Sequence, residues 1–195
     1  MTNTESIDGL NAIIKQIKDK KHPPVHLWNP DFCGDLDMRI ARDGVWYYMG
    51  SPIGRMPLVK LFSSVLRLDD DQKYYLVTPV EKIGITVEDA PFVAVEMFRE
   101  GDGKNQILSF RTHVDEYVVA DAEHPLRIKF DDITGEPSPY VMVRSNLEGL
   151  IVRSVFYDLI ELSGEENVDG ETKFGVWSSG IFFEFGSVDE IFGDK

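Results

Sequence analysis

The stretch RDGVWYYMGSPIGR, residues 42–55, carries the strongest structural signals in the chain. It opens with an Arg-Asp-Gly turn, and the run after the turn is rich in the aromatic and β-branched residues that strands favour. Segment 37–41 supplies a partner strand, so the pattern predicts a β-hairpin. Gly50 breaks the strand, after which Ser51 is a natural N-cap and Pro52 a natural first residue of a helix. We therefore expect a hairpin followed directly by a helix that Ser51 caps.

Outward from this stretch, the pattern alternates between short strands and occasional helices. Apolar residues at helical spacing continue the helix to Leu66, and a second set predicts a helix at 147–162 with Asn146 as its N-cap. An amphipathic helix is expected at 6–20, and residues 173–185 indicate a closing hairpin. Turn-punctuated runs of strand-favouring residues predict seven further strands, at 73–77, 83–87, 92–98, 106–112, 117–120, 126–130 and 140–144.

The two long predicted helices lie in matching contexts, which indicates an internal duplication. Segment 38–40, an aromatic strand, the 51–53 junction and a helix parallel segment 126–128, a Tyr-led strand, the 145–147 junction and a helix. Such self-similarity is typical of a duplicated supersecondary unit. Ordinary likeness among α+β units is the alternative. The predicted fold class is α+β, with two related strand–helix–strand halves and mostly antiparallel sheets.

The expected domain boundaries follow from this duplication. Residues 1–24 form an N-terminal helix, residues 25–90 an N-terminal α+β half, and residues 91–195 a larger C-terminal α+β half. The boundary between the halves is placed near Asp89-Ala90-Pro91.

Four stretches carry a family resemblance: RDGVWYYMGSPIGR (42–55), YYLVTPVEKIGITVEDAPF (74–92), HPLRI (124–128) and PYVMVRSNLEGLIVRSVFYDLI (139–160). Over roughly residues 33–162, the chain resembles a proteobacterial family known only as a domain of unknown function. The resemblance implies a duplicated α+β architecture whose C-terminal half is similar to pleckstrin-homology domains. It also implies a ligand site between the halves. The roles suggested for that family are binding of a nucleotide-like ligand and signal transduction.

Composition excludes several classes of protein. A formal net charge of −14 disfavours binding to nucleic-acid polymers or to anionic membranes, which requires clustered Lys and Arg. The single cysteine, Cys33, permits no internal disulfide, and no apolar run reaches the roughly 18 residues that span a bilayer. The N-terminal sequence has none of the features of a secretory signal. We therefore expect a cytoplasmic protein.

The junction 50–55 is the main candidate for a ligand site. Backbone N–H groups at a helix start, small residues and an arginine in the first turn suit an anion such as phosphate. The junction at 144–146 has similar features, and pseudo-twofold packing of the halves would bring both sets of cations to their interface. The predicted ligand-binding residues are Ser51, Gly54, Arg55, Lys60, Glu81, Arg144, Asn146 and Arg153. In the alternative interpretation the polar residues are ordinary caps and the arginines pair with nearby carboxylates.

The leading hypothesis is a noncatalytic ligand-binding or adaptor protein with a small anionic, nucleotide-like ligand between its halves. No catalytic residue, metal site or cofactor is predicted, because the P-loop spacing is missing and the histidines near Cys33 do not form a zinc pattern. One alternative is an enzyme that acts on a phosphorylated small molecule through Glu81, Asp89 or His113.

A protein–protein interaction module is the second alternative, since exposed strand edges would suffice for it. The aromatic strip 182–185 predicts an exposed apolar edge, which is a candidate contact of a homodimer. Such a module would show no phosphate-dependent increase in thermal stability.

Overall fold

The computed structural model describes residues 22–168 and 170–186 of the 195-residue chain. These residues divide into two compact units. The first unit comprises the described chain up to Val93 together with the segment His113–Glu116. The second unit comprises the remaining described residues.

The first unit is built on a six-stranded sheet with one helix. Its elements are β1 (Phe32–Ile40), β2 (Trp46–Tyr48), β3 (Ser51–Pro52), α1 (Met56–Ser64), β4 (Leu66–Leu68), β5 (Tyr74–Val77) and β6 (Lys82–Val87). The strand order across the sheet is β3-β2-β1-β6-β5-β4. Neighbouring strands run antiparallel except β1 and β6, which are parallel. A 3-10 turn at Val25–Leu27 precedes the sheet.

The second sheet is followed by a helix and a small third sheet. The elements are β7 (Phe92–Glu100), β8 (Ile107–Thr112), β9 (Tyr117–Val119), β10 (Leu126–Phe130), β11 (Pro137–Arg144), β12 (Leu147–Ile151), α2 (Arg153–Glu161), β13 (Gly164–Val168), β14 (Glu171–Ser178) and β15 (Ile181–Gly186). The six-stranded sheet has the order β10-β11-β12-β7-β8-β9, and the three-stranded sheet the order β13-β14-β15. A 3-10 turn at Gly103–Asn105 connects β7 to β8.

The two six-stranded sheets have the same strand topology. Each consists of two three-stranded meanders, and the first strand of the earlier meander lies beside the last strand of the later one, as β1 lies beside β6 and β7 beside β12. The prediction of an α+β fold with two related, mostly antiparallel halves is confirmed, and the sheet and helix of the second half fit the expected similarity to pleckstrin-homology domains. The matching segments differ from those predicted. Segment 38–40 lies in β1, the counterpart of β7, whereas 126–128 lies in β10, the counterpart of β4.

The first helix begins later than the sequence predicts. Met49 and Gly50 have positive φ angles of 47° and 74° and form a two-residue turn that reverses the chain. Ser51 and the proline after it therefore pair with β2 as the edge strand β3. The helix begins only at Met56, with Arg55 as its N-cap residue. The predicted cap at Ser51 is wrong, because the tight hairpin turn outweighs the Ser-Pro signal for a helix start.

The second predicted helix is partly a strand. Residues 147–151 form β12 with alternate side chains buried, and the helix spans only Arg153–Glu161, with Val152 as its N-cap residue. Asn146 lies in the two-residue turn between β11 and β12, where Ser145 has a positive φ of 49°. The apolar run before the helix fits both a period of two and a helical period, and pairing with β11 decides in favour of the strand.

Buried aromatic side chains hold the elements together. Trp46 is 1% exposed and stacks on Phe62 of α1, with ring centroids 6.1 Å apart, which packs the helix on the first sheet. Full burial of a large apolar side chain stabilises a fold by about 1.5–3 kcal/mol. In β15, Phe183 and Phe185 are buried and Glu184 is exposed. The predicted apolar edge at 182–185 is therefore wrong, since alternate residues of this strand lie in the core.

The helix predicted at 6–20 lies outside the described residues. The two described helices, α1 and α2, span nine residues each. Within the described part of the chain, neither is long and apolar enough to cross a membrane. The cytoplasmic location stays a prediction.

Candidate functional site

The first-unit residues of the predicted site lie on and just before α1. Ser51 is exposed on β3, and Gly54 is exposed in the connection to the helix. Arg55 is exposed at the N-cap position and makes no side-chain capping hydrogen bond. Lys60 forms a 2.6 Å ion pair with Asp115. Lys60 is thus engaged with a carboxylate, whereas Arg55 points its charge toward solvent.

The start of α1 is a poor site for an anion. Pro57 occupies the second helical position after Met56 and has no N–H to donate. The backbone N–H groups of Leu58 and Val59 donate to the Arg55 carbonyl at 2.9 and 3.2 Å. Anion sites at helix starts use several free backbone donors. The backbone therefore supports a phosphate here less well than the sequence predicts.

In the second unit, the structure brings Arg144 and Asn146 into one turn. Arg144 ends β11 and lies opposite Leu147 of β12, with Asn146 exposed in the turn between them. The predicted capping role of Asn146 is wrong, because a strand and not a helix follows it. Arg153 is the exposed first residue of α2. The convergence of these residues with the candidates of the first unit stays a prediction.

Most of the described lysines and arginines form ion pairs. The pairs are Arg39–Glu88, Arg42–Asp89, Lys60–Asp115, Arg67–Asp69, Lys82–Asp69, Arg99–Asp102, Lys104–Glu166, Arg111–Glu96, Arg127–Glu148 and Lys173 with Glu171 and Glu184. Arg55 and Arg153 differ, since neither side chain forms a hydrogen bond or ion pair with another residue of the described chain. The alternative interpretation, in which the predicted cations pair with nearby carboxylates, therefore holds for Lys60 but not for Arg55 and Arg153.

Residues 44–68 form the longest stretch without Asp or Glu in a chain that has 34 acidic residues. Within this stretch, nine of the ten residues 48–57 are exposed. We call residues 48–57 the exposed segment. It presents Tyr48, Met49 and Met56 to solvent at 44%, 67% and 44% exposure. The exposed segment thus combines three large apolar side chains with no carboxylate and with one cation, Arg55, that has no side-chain partner among the described residues.

Local hydrogen bonds fix the conformation of the exposed segment. The backbone N–H of Met49 donates to the Asp37 carbonyl at 2.9 Å, and that of Ile53 donates to the Trp46 carbonyl at 2.7 Å. Met49 has a φ of 47°, a conformation that costs a non-glycine residue about 1–3 kcal/mol. Val59, like Trp46, is buried. The segment is therefore a defined surface, anchored in the core on both sides.

His113 is a second notable feature of the first unit. Its Nδ1 accepts a 3.2 Å hydrogen bond from the backbone N–H of Val93, and its Nε2 is buried without a hydrogen-bond partner. Burial lowers the pKa of His113 below its usual value, and the carboxylates of Asp115 and Asp43 oppose this shift only in part. The imidazole therefore acts as a neutral structural acceptor.

The candidates for acid–base chemistry have structural contacts. Glu81 is exposed in the turn between β5 and β6, where its backbone N–H donates to the Thr78 hydroxyl at 3.1 Å. Asp89 lies 3.4 Å from the Arg42 guanidinium. No group of three or more His, Cys, Asp or Glu side chains suited to a metal ion occurs among residues 22–168 and 170–186. Glu81 and Asp89 thus have ordinary roles in a turn and an ion pair.

Protein-family comparisons match both halves of the chain. Residues 23–90 match the N-terminal domain of DUF1285, a domain of unknown function, and residues 91–185 match the DUF1285 C-terminal domain. The chain belongs to the DUF1285 family. This confirms the resemblance to a two-domain family of unknown function. The chain matches no curated protein.

Two crystal structures of DUF1285 family proteins are similar to this chain. The protein from Silicibacter pomeroyi DSS-3, solved at 2.50 Å, is 52% identical with a TM-score of 0.82, over 93% of this chain and 96% of its own. The protein from Shewanella baltica OS155, solved at 1.40 Å, is 28% identical with a TM-score of 0.50, over 65% of this chain and 91% of its own. These relatives support the DUF1285 fold, and function must be argued from surfaces such as the exposed segment.

Sequence reasoning selected only part of the exposed segment of this DUF1285 protein. It selected Ser51 and Arg55 for hydrogen bonding and charge, and it missed the apolar residues Tyr48, Met49 and Met56. The available signal was the absence of acidic residues over 44–68, a stretch that stands out against the rest of the chain. Apolar residues at strand ends and helix starts otherwise look like core.

Proposed function

We propose that this DUF1285 protein is a noncatalytic adaptor that binds a protein partner through the exposed segment. The observation that carries the proposal is the exposure of Tyr48, Met49 and Met56 on a carboxylate-free stretch of an acidic chain. Burial of apolar surface releases about 25 cal/mol per Å². Grouped apolar side chains that remain in water are therefore typical of interaction sites.

A protein partner fits the exposed segment better than an enclosed small molecule. Small-molecule sites are concave and bury most of the ligand surface. The exposed segment is instead a hairpin turn and a helix start, and nearly all of its residues face solvent. The cores of protein interfaces are enriched in aromatic residues, Met and Arg. Tyr48, Met49, Arg55 and Met56 belong to these residue types.

A small anionic ligand is the second candidate, because Arg55 has no partner among the described residues. In this version the guanidinium binds the phosphate of a nucleotide-like compound and Tyr48 stacks on its base. A role in signal transduction would follow from such binding. The missing N–H at Pro57 argues against this candidate, so the protein partner ranks first.

Selection of displayed peptides on the full-length protein tests the proposal. Peptides that bind the wild type are measured against Met49→Asp and Met56→Asp. We expect binding to weaken about tenfold or more, since each side chain contributes roughly 1.5–3 kcal/mol when buried. Tyr157→Asp is the matched control, because Tyr157 is an exposed residue of α2 in the second unit.

Two outcomes would overturn the adaptor proposal. In one, the selection returns no peptide. In the other, the peptides bind wild type, Met49→Asp and Met56→Asp equally well. Circular dichroism of each variant separates a lost contact from a lost fold, and substitution of exposed residues is expected to leave the fold intact.

A further inference from the structure

The turn between β10 and β11 displays an apolar side chain. Ile133 is 94% exposed. One carboxylate oxygen of Asp131 accepts hydrogen bonds from the backbone N–H groups of Ile133 at 3.0 Å and Thr134 at 2.7 Å, and from the Thr134 hydroxyl at 3.0 Å. The backbone N–H of Asp131 also donates to the Glu136 carbonyl at 3.0 Å. We call residues 131–136 the acidic turn, a hydrogen-bonded structure that holds Ile133 in solvent.

The acidic turn and the exposed segment have complementary chemistry. The acidic turn carries the carboxylates of Asp131, Asp132 and Glu136 around one aliphatic side chain. Hydrogen bonds from the backbone N–H groups of Thr134 and Ile133 lower the pKa of Asp131, so its carboxylate is charged at neutral pH. The exposed segment carries apolar side chains, no carboxylate and one arginine, Arg55, without a side-chain partner in the described part of the chain. The negative charge of the acidic turn therefore complements the positive charge of Arg55, and Ile133 can pack on the apolar side chains of the exposed segment.

We infer that the exposed segment of one copy of this protein binds the acidic turn of a second copy. This inference rests on the proposed function, because it assigns a partner to the surface that the adaptor proposal identifies. Ile133 packs against Met49 or Met56, and a carboxylate of the turn pairs with Arg55. A contact between two acidic turns is disfavoured, since their negative charges repel each other.

Both surfaces are accessible to a second copy, since Ile133 is 94% exposed and Met49 is 67% exposed. A twofold dimer would form the contact twice, and a head-to-tail chain would form it once at each interface. One turn on a ten-residue segment is smaller than the interfaces of about 1,000 Å² that hold stable complexes. The association is therefore weak and depends on concentration.

Sedimentation equilibrium of the full-length protein, from about 10 µM to 1 mM, tests this inference. We expect the mean mass to rise with concentration. Ile133→Asp and Met49→Asp should each lower the association constant about tenfold or more, by loss of one buried apolar side chain. Tyr157→Asp, the matched exposed residue of α2, should leave the association constant unchanged.

A charge exchange makes the test specific. Arg55→Asp and the double variant Asp132→Arg with Glu136→Arg should each associate more weakly than the wild type. A mixture of these two proteins should associate again, because one mixed contact pairs the two reversed charges and the other pairs the native Arg55 with the native acidic turn. Arg153→Asp is the control for a change of charge at an exposed arginine.

A wild type that stays monomeric up to 1 mM, or variants that associate like the wild type, would overturn the inference. The outcome differs from a failure of the adaptor proposal. Peptides that lose affinity for Met49→Asp in a monomeric protein leave the adaptor function standing and show that its partner is another protein.

Discussion

His113 and Val93 are joined by two hydrogen bonds in opposite directions. The backbone N–H of His113 donates to the Val93 carbonyl at 2.8 Å, and the backbone N–H of Val93 donates to Nδ1 of His113 at 3.2 Å. Val93 is the last residue of the first unit before the chain passes to the second, and His113 is the residue at which it returns. Nδ1 can accept only when it carries no proton, so the imidazole is neutral. It joins the residue at which the chain leaves the first unit to the residue at which the chain re-enters it.

Acid is expected to destabilise the protein through His113. Burial lowers its pKa in the folded state, whereas the unfolded chain keeps the ordinary value of 6.5. Below pH 6.5 the unfolded state therefore binds more protons, and the free energy of unfolding falls by at most about 1.4 kcal/mol per pH unit. This contribution is complete above the unfolded pKa and is lost as the pH falls toward the folded pKa. Urea unfolding at about pH 7.5, 6.5 and 5.5 measures the loss.

His113→Asn isolates this effect from the titration of other groups. The Oδ1 of asparagine can accept the N–H of Val93 but does not titrate. The free energy of unfolding of His113→Asn should therefore change less between pH 7.5 and 5.5 than that of the wild type. Parallel pH profiles for the two proteins would show that His113 does not carry the acid sensitivity.

Gly44 fits closely against the same pair of residues. Gly44 has a φ of +84°, and a Cβ added there would lie 2.9 Å from Cγ2 of Val93 and 3.2 Å from two ring atoms of His113. Gly50 has a similar φ of +74° and no atom within 4 Å of the added Cβ. Both alanine substitutions strain the backbone, but only Gly44→Ala also overpacks a contact. We expect Gly44→Ala to cost about 1–3 kcal/mol more than Gly50→Ala in thermal or urea unfolding. Equal losses of stability in the two variants would mean that Val93 and His113 move away from the added methyl group at no cost.

Arg67 attaches the segment before β1 to the first sheet. Its guanidinium donates to the carbonyls of Val25 at 3.0 Å and Trp28 at 2.7 Å, and it also pairs with Asp69. The Arg67 side chain is only 16% exposed. Arg67→Met leaves the carboxylate and both carbonyls without these donors, so we expect a loss of about 3 kcal/mol in urea unfolding. Hydrogen exchange of the amides at 25–28 should accelerate as well.

Arg127→Met is the control for Arg67→Met. Arg127 pairs with Glu148 across two strands, but its side chain is 48% exposed, so solvent weakens the pair. Its removal is expected to change the free energy of unfolding by no more than about 1 kcal/mol. A similar loss for both variants would show that burial does not strengthen the Arg67 contacts.

Local sequence predicts the features whose determinants are adjacent in the chain. The hairpin of β1 and β2 follows from the Asp-Gly turn at 43–44 and the strand-favouring run after it. The strands β5 to β10 and the closing hairpin follow from turn residues at short intervals. Where two local signals compete, as at Met49 to Pro52, the composition of the segment does not decide between them. Hydrogen bonds to other strands decide the outcome there.

Features that depend on residues far apart in the chain cannot be predicted from local sequence. The parallel pairing of β1 with β6 joins segments separated by four other strands and a helix. The pair Lys60–Asp115 joins residues 55 positions apart, so the sequence could not show that Lys60 is engaged. Arg55 and Lys60 look equivalent as sequence and differ only in the folded chain. The sequence therefore predicts part of the candidate site from residue types. Which of these residues are exposed and which are paired is known only from the structure.

A thermal-shift screen separates the anionic ligand from the protein partner. Nucleotides, cyclic dinucleotides and sugar phosphates are tested on the wild type, on Arg55→Ala and on the control Arg153→Ala, which removes the other arginine that lacks a side-chain partner within residues 22–168 and 170–186. A ligand at a hundred times its dissociation constant would stabilise the fold by about 2.7 kcal/mol. We expect no compound to produce a shift that depends on Arg55, because Pro57 removes a backbone donor from the helix start. A shift that disappears in Arg55→Ala but persists in Arg153→Ala would instead establish the exposed segment as an anion site and move the adaptor proposal to second rank.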